Sequence, residues 1–353
     1  MYGILFNKIG GLAAIAAEME ETWVSLSLSG QYKLQYSKTL FSELNEALDQ
    51  LGKEGCITYQ MGNAVVTLEE LQESLVDDVQ WSVSINKQAF MGNGEEICNF
   101  FFDLDSFRRW ADNTDPFSAS NPLNCHKSKI EVNGLQTAFG GPNFLVSGNL
   151  RDFPNDRRIT YEHDRLLSVL RQFTETTREI YPEKHYVSFG DVDVNSRPFF
   201  RNSLMCFSVA LSDELYENKV VLRGIRRLEF GLQTPLYQDD QMSQAQESLC
   251  DAFSWVFGGD NRYELRHKLL IDRLTLDLPL DQSYYDGIIP LIGHALQQAN
   301  ERYNYAFFER SSEYQKELQQ FLKELHELCD SYSAKVRSLL GSFLRDALAG
   351  FLT

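Results

Sequence analysis

The sequence predicts an α+β fold: a mixed, mainly antiparallel sheet body, then a helical C-terminal part ending in a long, coiled-coil-like helix. Three observations carry this. Short runs of period two, such as residues 22–28 and 81–85, recur through the first part of the chain and mark half-buried strands. From residue 242 onward the apolar spacing turns helical. Near the end, Leu318, Leu322, Leu325, Cys329, Tyr332, Val336, Leu339 and Phe343 alternate steps of four and three, the a/d pattern of a coiled coil. Strands first and helices after is the order of an α+β chain rather than of a doubly wound sheet. The expected division is a body over residues 1–235, with sub-boundaries near 113–127 or 150–160, and a helical assembly region over 236–353.

Element by element, residues 1–21 read as a strand, a Gly10-Gly11 turn and a short helix, with no basic leader. Residues 40–51 have helical spacing, and residues 57–59 and 64–66 flank Gly62-Asn63 as a hairpin. Thr67 followed by Glu70 is a capping box that starts a helix. Residues 97–104 form an apolar-rich run, expected as a buried strand. Strands are expected at 128–132 and 143–147, after a loop-rich stretch with Pro116 and Pro122. Residues 161–180 read as an amphipathic helix with Leu166, Leu170, Phe173, Thr177 and Ile180 on one face. Further strands are expected at 185–189, 202–211 and 219–230. Helices follow at 243–257 and 260–274, and the long helix is expected to begin at Pro290, a residue favoured at a first helical position.

The chain of 353 residues carries a net charge of −17, unevenly spread. Residues 151–234 hold 13 basic and 13 acidic residues, and 11 of the 13 basic ones are arginine. The flanks are acidic and repel polyanions, so a nucleic acid is expected to bind only in this middle segment. Arg197, Arg201, Arg223, Arg226 and Arg227 are the candidates, because guanidinium forks match phosphate geometry. The competing expectation is that they pair with neighbouring acids. Six scattered cysteines without CxxC spacing read as reduced thiols of a cytoplasmic protein.

Catalytic signatures are sparse. Asp191-Val192-Asp193 follows an expected strand and resembles the metal-binding aspartates of nucleotidyltransferases, where acid and apolar residues alternate. That resemblance implies Mg²⁺ and phosphoryl transfer. The family's Gly-Ser turn and helix upstream are missing, so no metal site is assigned. Asp103 and Asp105 form a second such pair. Arg158 and His163 stand at the Arg-x4-His spacing found in HEPN ribonucleases, an all-helical family, whereas strands are expected on both sides here. No phosphate-cradling glycine loop, hydrolase, zinc or kinase motif is present, and no cofactor is expected.

The heptad seam therefore dominates the functional expectation. It points to a non-enzymatic subunit, accessory or defence-type in kind, that associates with itself or a partner protein through residues 314–350. The alternatives are a nucleic-acid sensor or effector using residues 151–234, and membrane attachment through the apolar end, where Leu339 to Thr353 carries only Arg345 and Asp346 as charges.

Overall fold

The computed structural model describes residues 2–31, 34–53, 56–73, 80–92, 94–149, 152–153, 159–234 and 239–351. Side chains at 34–38, 71–72, 239–240, 306–315, 317–318, 329–330 and 342–351 fall outside that description. Two compact units are present, Met1–Leu296 and Gln297–Thr353.

The first unit opens with helix α1 (Gly3–Ala13) and strands β1 (Glu18–Glu21) and β2 (Ser25–Gln31). Helix α2 (Leu34–Gln50), the hairpin β3 (Ile57–Met61) and β4 (Ala64–Val66), helix α3 (Leu68–Glu73) and strand β5 (Gln80–Asn86) complete an antiparallel sheet of order β1-β2-β5-β3-β4. Its strands alternate as the period-two runs require. Leu26, Leu28, Trp81, Val83 and Ile85 turn inward against Leu5, Ile9 and Leu12 of α1 and Phe41 and Leu44 of α2. Gly62 sits at φ +61 in the hairpin turn, and the capping box forms in both directions: Thr67 N–H donates to Glu70 Oε2 at 2.8 Å and Glu70 N–H to Thr67 Oγ1 at 3.2 Å. The N-terminal expectation is corrected. Residues 3–13 are one helix, and Gly10-Gly11 is not a turn. A Cβ on Gly11 would meet Leu40 Cδ2 at 2.7 Å, so the glycine allows α1 and α2 to approach closely.

A second sheet follows, built on β6 (Glu96–Phe101), helix α4 (Leu104–Asp112), helix α5 (Pro122–Cys125), β7 (Lys127–Val132), β8 (Phe139–Gly140) and β9 (Phe144–Ser147). Its order is β6-β7-β9-β8, with β6, β7 and β9 parallel and β8 antiparallel to β9. A buried ion pair joins the two sheets. Lys87 Nζ lies 2.7 Å from Glu21 Oε1, both side chains being 0% exposed. Lys87 also donates to the carbonyls of Thr22 and Phe100, each at 2.8 Å, and sits over the Phe101 ring at 4.1 Å. Glu21 in turn accepts the backbone N–H groups of Phe102 and Asp103. Burial raises the Glu21 carboxyl above its usual range and lowers Lys87 to about 8, since both charges have left water.

Helix α6 (His163–Val169), β10 (Arg171–Phe173), helix α7 (Pro182–His185), helix α8 (Arg197–Ala210), β11 (Glu214–Tyr216), β12 (Lys219–Arg223) and β13 (Arg227–Gly231) come next, with a third sheet in the order β10-β11-β12-β13. Two expectations fail here. The amphipathic helix over 161–180 stops at Val169, because residues 171–173 pair in parallel with β11. The Gln172 side chain then holds the following loop by bonding both the N–H and the carbonyl of Arg178. The strand expected at 202–211 is helix α8. It is buried on nearly every side, so no 3.6-residue period shows in its sequence. The strand expected at 185–189 reduces to a single bridge between Phe189 and Gly140.

Helices α9 (Asp239–Phe257) and α10 (Tyr263–Asp277) match the expected pair and belong to the first unit, where α9 packs on α8 and α10 on β12. Helix α11 (Tyr284–Phe351) is 68 residues long. It starts before Pro290, not at it: the Ser283 hydroxyl accepts the Asp286 N–H at 3.3 Å, and Tyr284, Tyr285 and Ile288 are buried. Pro290 lies inside the helix, where its missing N–H leaves one backbone carbonyl without its helical donor.

Candidate assembly surface

The second unit consists of α11 from Gln297 onward. At 1.5 Å per residue this stretch of helix is about 80 Å long. The sequence seam is exposed along it: Leu322 by 52%, Leu325 by 44%, Tyr332 by 64%, Val336 by 53% and Leu339 by 70%. Side chains of Leu318 and Phe343 lie outside the described residues. Three more large apolar residues, Phe321, Leu328 and Leu340, are more than half exposed beside the seam. Heptad counting missed them because they occupy the g, g and e positions, next to a and d. At 100° per residue, the eight side chains cover a stripe roughly 120° wide.

Polar residues take the opposite side, where Gln320 donates to Glu324 at 3.3 Å across one turn. The e and g positions, which carry the charges in a two-stranded zipper, hold Gln319, His326, Ser333, Lys335 and Ser342 beside the apolar residues, so Lys335 is the one Lys, Arg, Asp or Glu among them. Residues 297–353 contain seven basic and eight acidic residues, a net of −1, which leaves −16 on residues 1–296. A long apolar stripe on a nearly neutral helix can be covered only by something equally long and apolar. A monomeric soluble protein seldom leaves such a patch in water.

Four of the five arginine candidates have bonding partners within the chain. Arg223 pairs with Glu214, whose side chain is 1% exposed, and Arg227 pairs with Glu229 at 2.9 Å. These two arginines are direct cross-strand neighbours on β12 and β13, so the acids offset a like-charge contact. Arg226 donates to the Leu276 carbonyl at 3.1 Å. Arg201 lies elsewhere, bonded to the Asp112 carbonyl at 2.9 Å near the end of α4. Arg197 is exposed at the start of α8.

One aspartate of each pair, Asp193 and Asp103, serves the backbone through its carboxylate. Asp193 Oδ1 accepts the N–H groups of Asn195 and Ser196 at 2.8 and 2.9 Å, and Oδ2 accepts the Thr137 hydroxyl at 3.2 Å. Partial burial works against the charge, but these donors outweigh it and hold the carboxyl below its usual range. Asp191 is exposed, and its carbonyl accepts the Ser196 hydroxyl. Asp103 caps α4 through Ser106 N–H, and Asp105 pairs with Arg108. Among the described residues, no group of three His, Cys, Asp or Glu is placed to hold a metal ion.

Arg158 of the Arg-x4-His spacing lies outside the described residues. His163 starts α6 and stacks on Tyr181, with ring centroids 4.6 Å apart. Its neighbour Tyr161 donates to Glu183 Oε2 at 2.7 Å. Burial raises both the Tyr161 hydroxyl and the Glu183 carboxyl, so this pair ties α7 to the chain leading into α6. No helix among the described residues is long and apolar enough to cross a membrane. No family model, curated protein or solved structure matches the chain.

Proposed function

We propose that this protein is an assembly subunit, and that α11 associates with the same helix of another copy. The observation that carries the reading is the exposure of Leu322, Leu325, Tyr332, Val336 and Leu339 on one side of a helix about 80 Å long. An isolated helix gains nothing from such a stripe, since most helical stability in proteins comes from packing an apolar face. A second copy supplies a helix of matching length and pattern. The near-neutral charge of residues 297–353 also removes the repulsion that the acidic first unit would meet.

A two-helix coil leaves Phe321, Leu328 and Leu340 partly wet, and a larger bundle covers them. Light scattering on the full chain at micromolar concentration is the test. The expected mass is a multiple of 40.6 kDa. A strictly 40.6 kDa species at every accessible concentration would refute self-association.

A further inference from the structure

We infer that the α11 helices of two copies pair antiparallel, with the two-fold axis between residues 330 and 331. The inference rests on the self-association reading and adds its orientation.

Charge along the tail is the first argument. Residues 297–330 carry seven acidic and four basic residues, a net of −3. Residues 331–353 carry three basic residues and one acidic, a net of +2. The sign changes at the middle of the seam. Parallel helices would set acidic half against acidic half and basic half against basic half. Antiparallel helices set each half against its opposite, as complementary potentials require.

The seam residues give the second argument. An antiparallel pair about this axis faces a positions with d positions: Leu322 with Leu339, Leu325 with Val336, and Tyr332 with position 329, a cysteine. Each layer then sets a large residue against an equal or smaller one, and layer volumes stay even. A parallel pair in register would face Tyr332 with Tyr332 in one layer and Val336 with Val336 in the next, alternately overfilling and underfilling the core.

A third argument comes from the acidic unit. Each tail is joined at Gln297 to residues carrying a net of −16. Parallel pairing brings the two joints to within about 10 Å, the spacing of packed helices, which is also about one Debye length in ordinary salt. Antiparallel pairing about residues 330 and 331 separates the joints by roughly 100 Å at 1.5 Å per residue.

Cross-linking of the full chain reads the orientation. Leu325→Cys and Val336→Cys are placed in separate chains with different tags, with Cys329→Ser and Cys125→Ser in both. The two chains are co-expressed and treated with a short bismaleimide. The expected product is a covalent dimer carrying both tags, with little dimer from either variant expressed alone. Efficient dimers from each variant alone would overturn the antiparallel arrangement and establish the parallel one. Absence of any covalent dimer, in variants that still show the wild-type mass, would overturn the proposed axis. A monomeric wild type removes the assembly reading, and this inference with it.

Discussion

Leu325→Asp combined with Leu339→Asp is the sharpest perturbation of the proposed interface. In the single chain these residues keep 44% and 70% of their surface in water, so together they offer just over one leucine of buriable area per copy. Full burial of a leucine is worth about 1.5–3 kcal/mol, which gives about 2–3 kcal/mol per copy and about 4–6 kcal/mol per pair. At 1.4 kcal/mol per tenfold, removing that area weakens association by about a thousand- to ten-thousand-fold. Desolvating the new carboxylates adds to this loss. The fold of the first unit is untouched, because both positions lie in the second unit on exposed surface. Sedimentation velocity should show the double variant as a monomer at concentrations where the wild type is assembled, and near-ultraviolet circular dichroism should superimpose. Undiminished assembly of the variant would refute the seam as the interface. Loss of the circular dichroism signal would refute the claim that these leucines serve association alone.

Lys87→Met should destabilise the first unit by about 3–5 kcal/mol in urea unfolding, because it strands the Glu21 carboxylate in the interior. Adding Glu21→Gln should recover part of that loss, and a milder single variant would count against a closed pair. Arg223→Ala should act through stability, leaving buried Glu214 with the Tyr216 hydroxyl but without its cation, at a smaller cost of about 1–2 kcal/mol because the Arg223 side chain is half exposed. If the triple Arg223→Ala, Arg226→Ala and Arg227→Ala variant instead stays stable and loses binding to labelled RNA with a reduced salt slope, the arginines face a polyanion after all. Acid should also weaken the fold. Burial lowers His185 to about 4 and places buried His267 below its ordinary value, so the unfolded chain takes up protons below about pH 6.5 while the folded chain does not. Stability should therefore fall from about pH 6.5 toward pH 4, and His185→Gln should flatten that fall. Asp193 adds a lower window: its folded carboxyl titrates below the usual 3.9, so its contribution is complete above that pH and disappears as pH drops through the folded value.

Elements with strong local codes were readable from the residues alone. The hairpin at Gly62-Asn63, the Thr67/Glu70 capping box and the period-two strands β2 and β5 each rest on contacts between near neighbours or on one exposed face. Helix α8 was unreadable for the opposite reason: Phe200, Ser203, Leu204, Cys206, Phe207 and Val209 are all buried, so neither period survives. Residues 171–173 kept a helical spacing yet joined a sheet, because pairing with β11 is a long-range preference that no local window contains. Gly10-Gly11 looked like a turn because the partner that needs Gly11 without a side chain, Leu40, lies about thirty residues away. The seam was legible because a heptad is a code for surface, and surface on α11 is what the fold leaves over. Its width was not, since Phe321, Leu328 and Leu340 break the two-in-seven rule.

Chain order gives the long helix a temporal meaning. Synthesis runs at about 5–20 residues per second and domains fold as they emerge, so the last residue of the first unit precedes the exposed stripe by about one to five seconds, and helix α8 precedes it by about five to twenty. The first unit's apolar segments, including the fully buried α8 and the strands beside it, can be sequestered before the exposed stripe leaves the ribosome. Under the proposed self-association, the apolar surface left for it is the corresponding stripe of another copy. Reversing the order of the two units would remove this protection: a tail made first would wait among unfolded strands and have every chance to pair with the wrong ones.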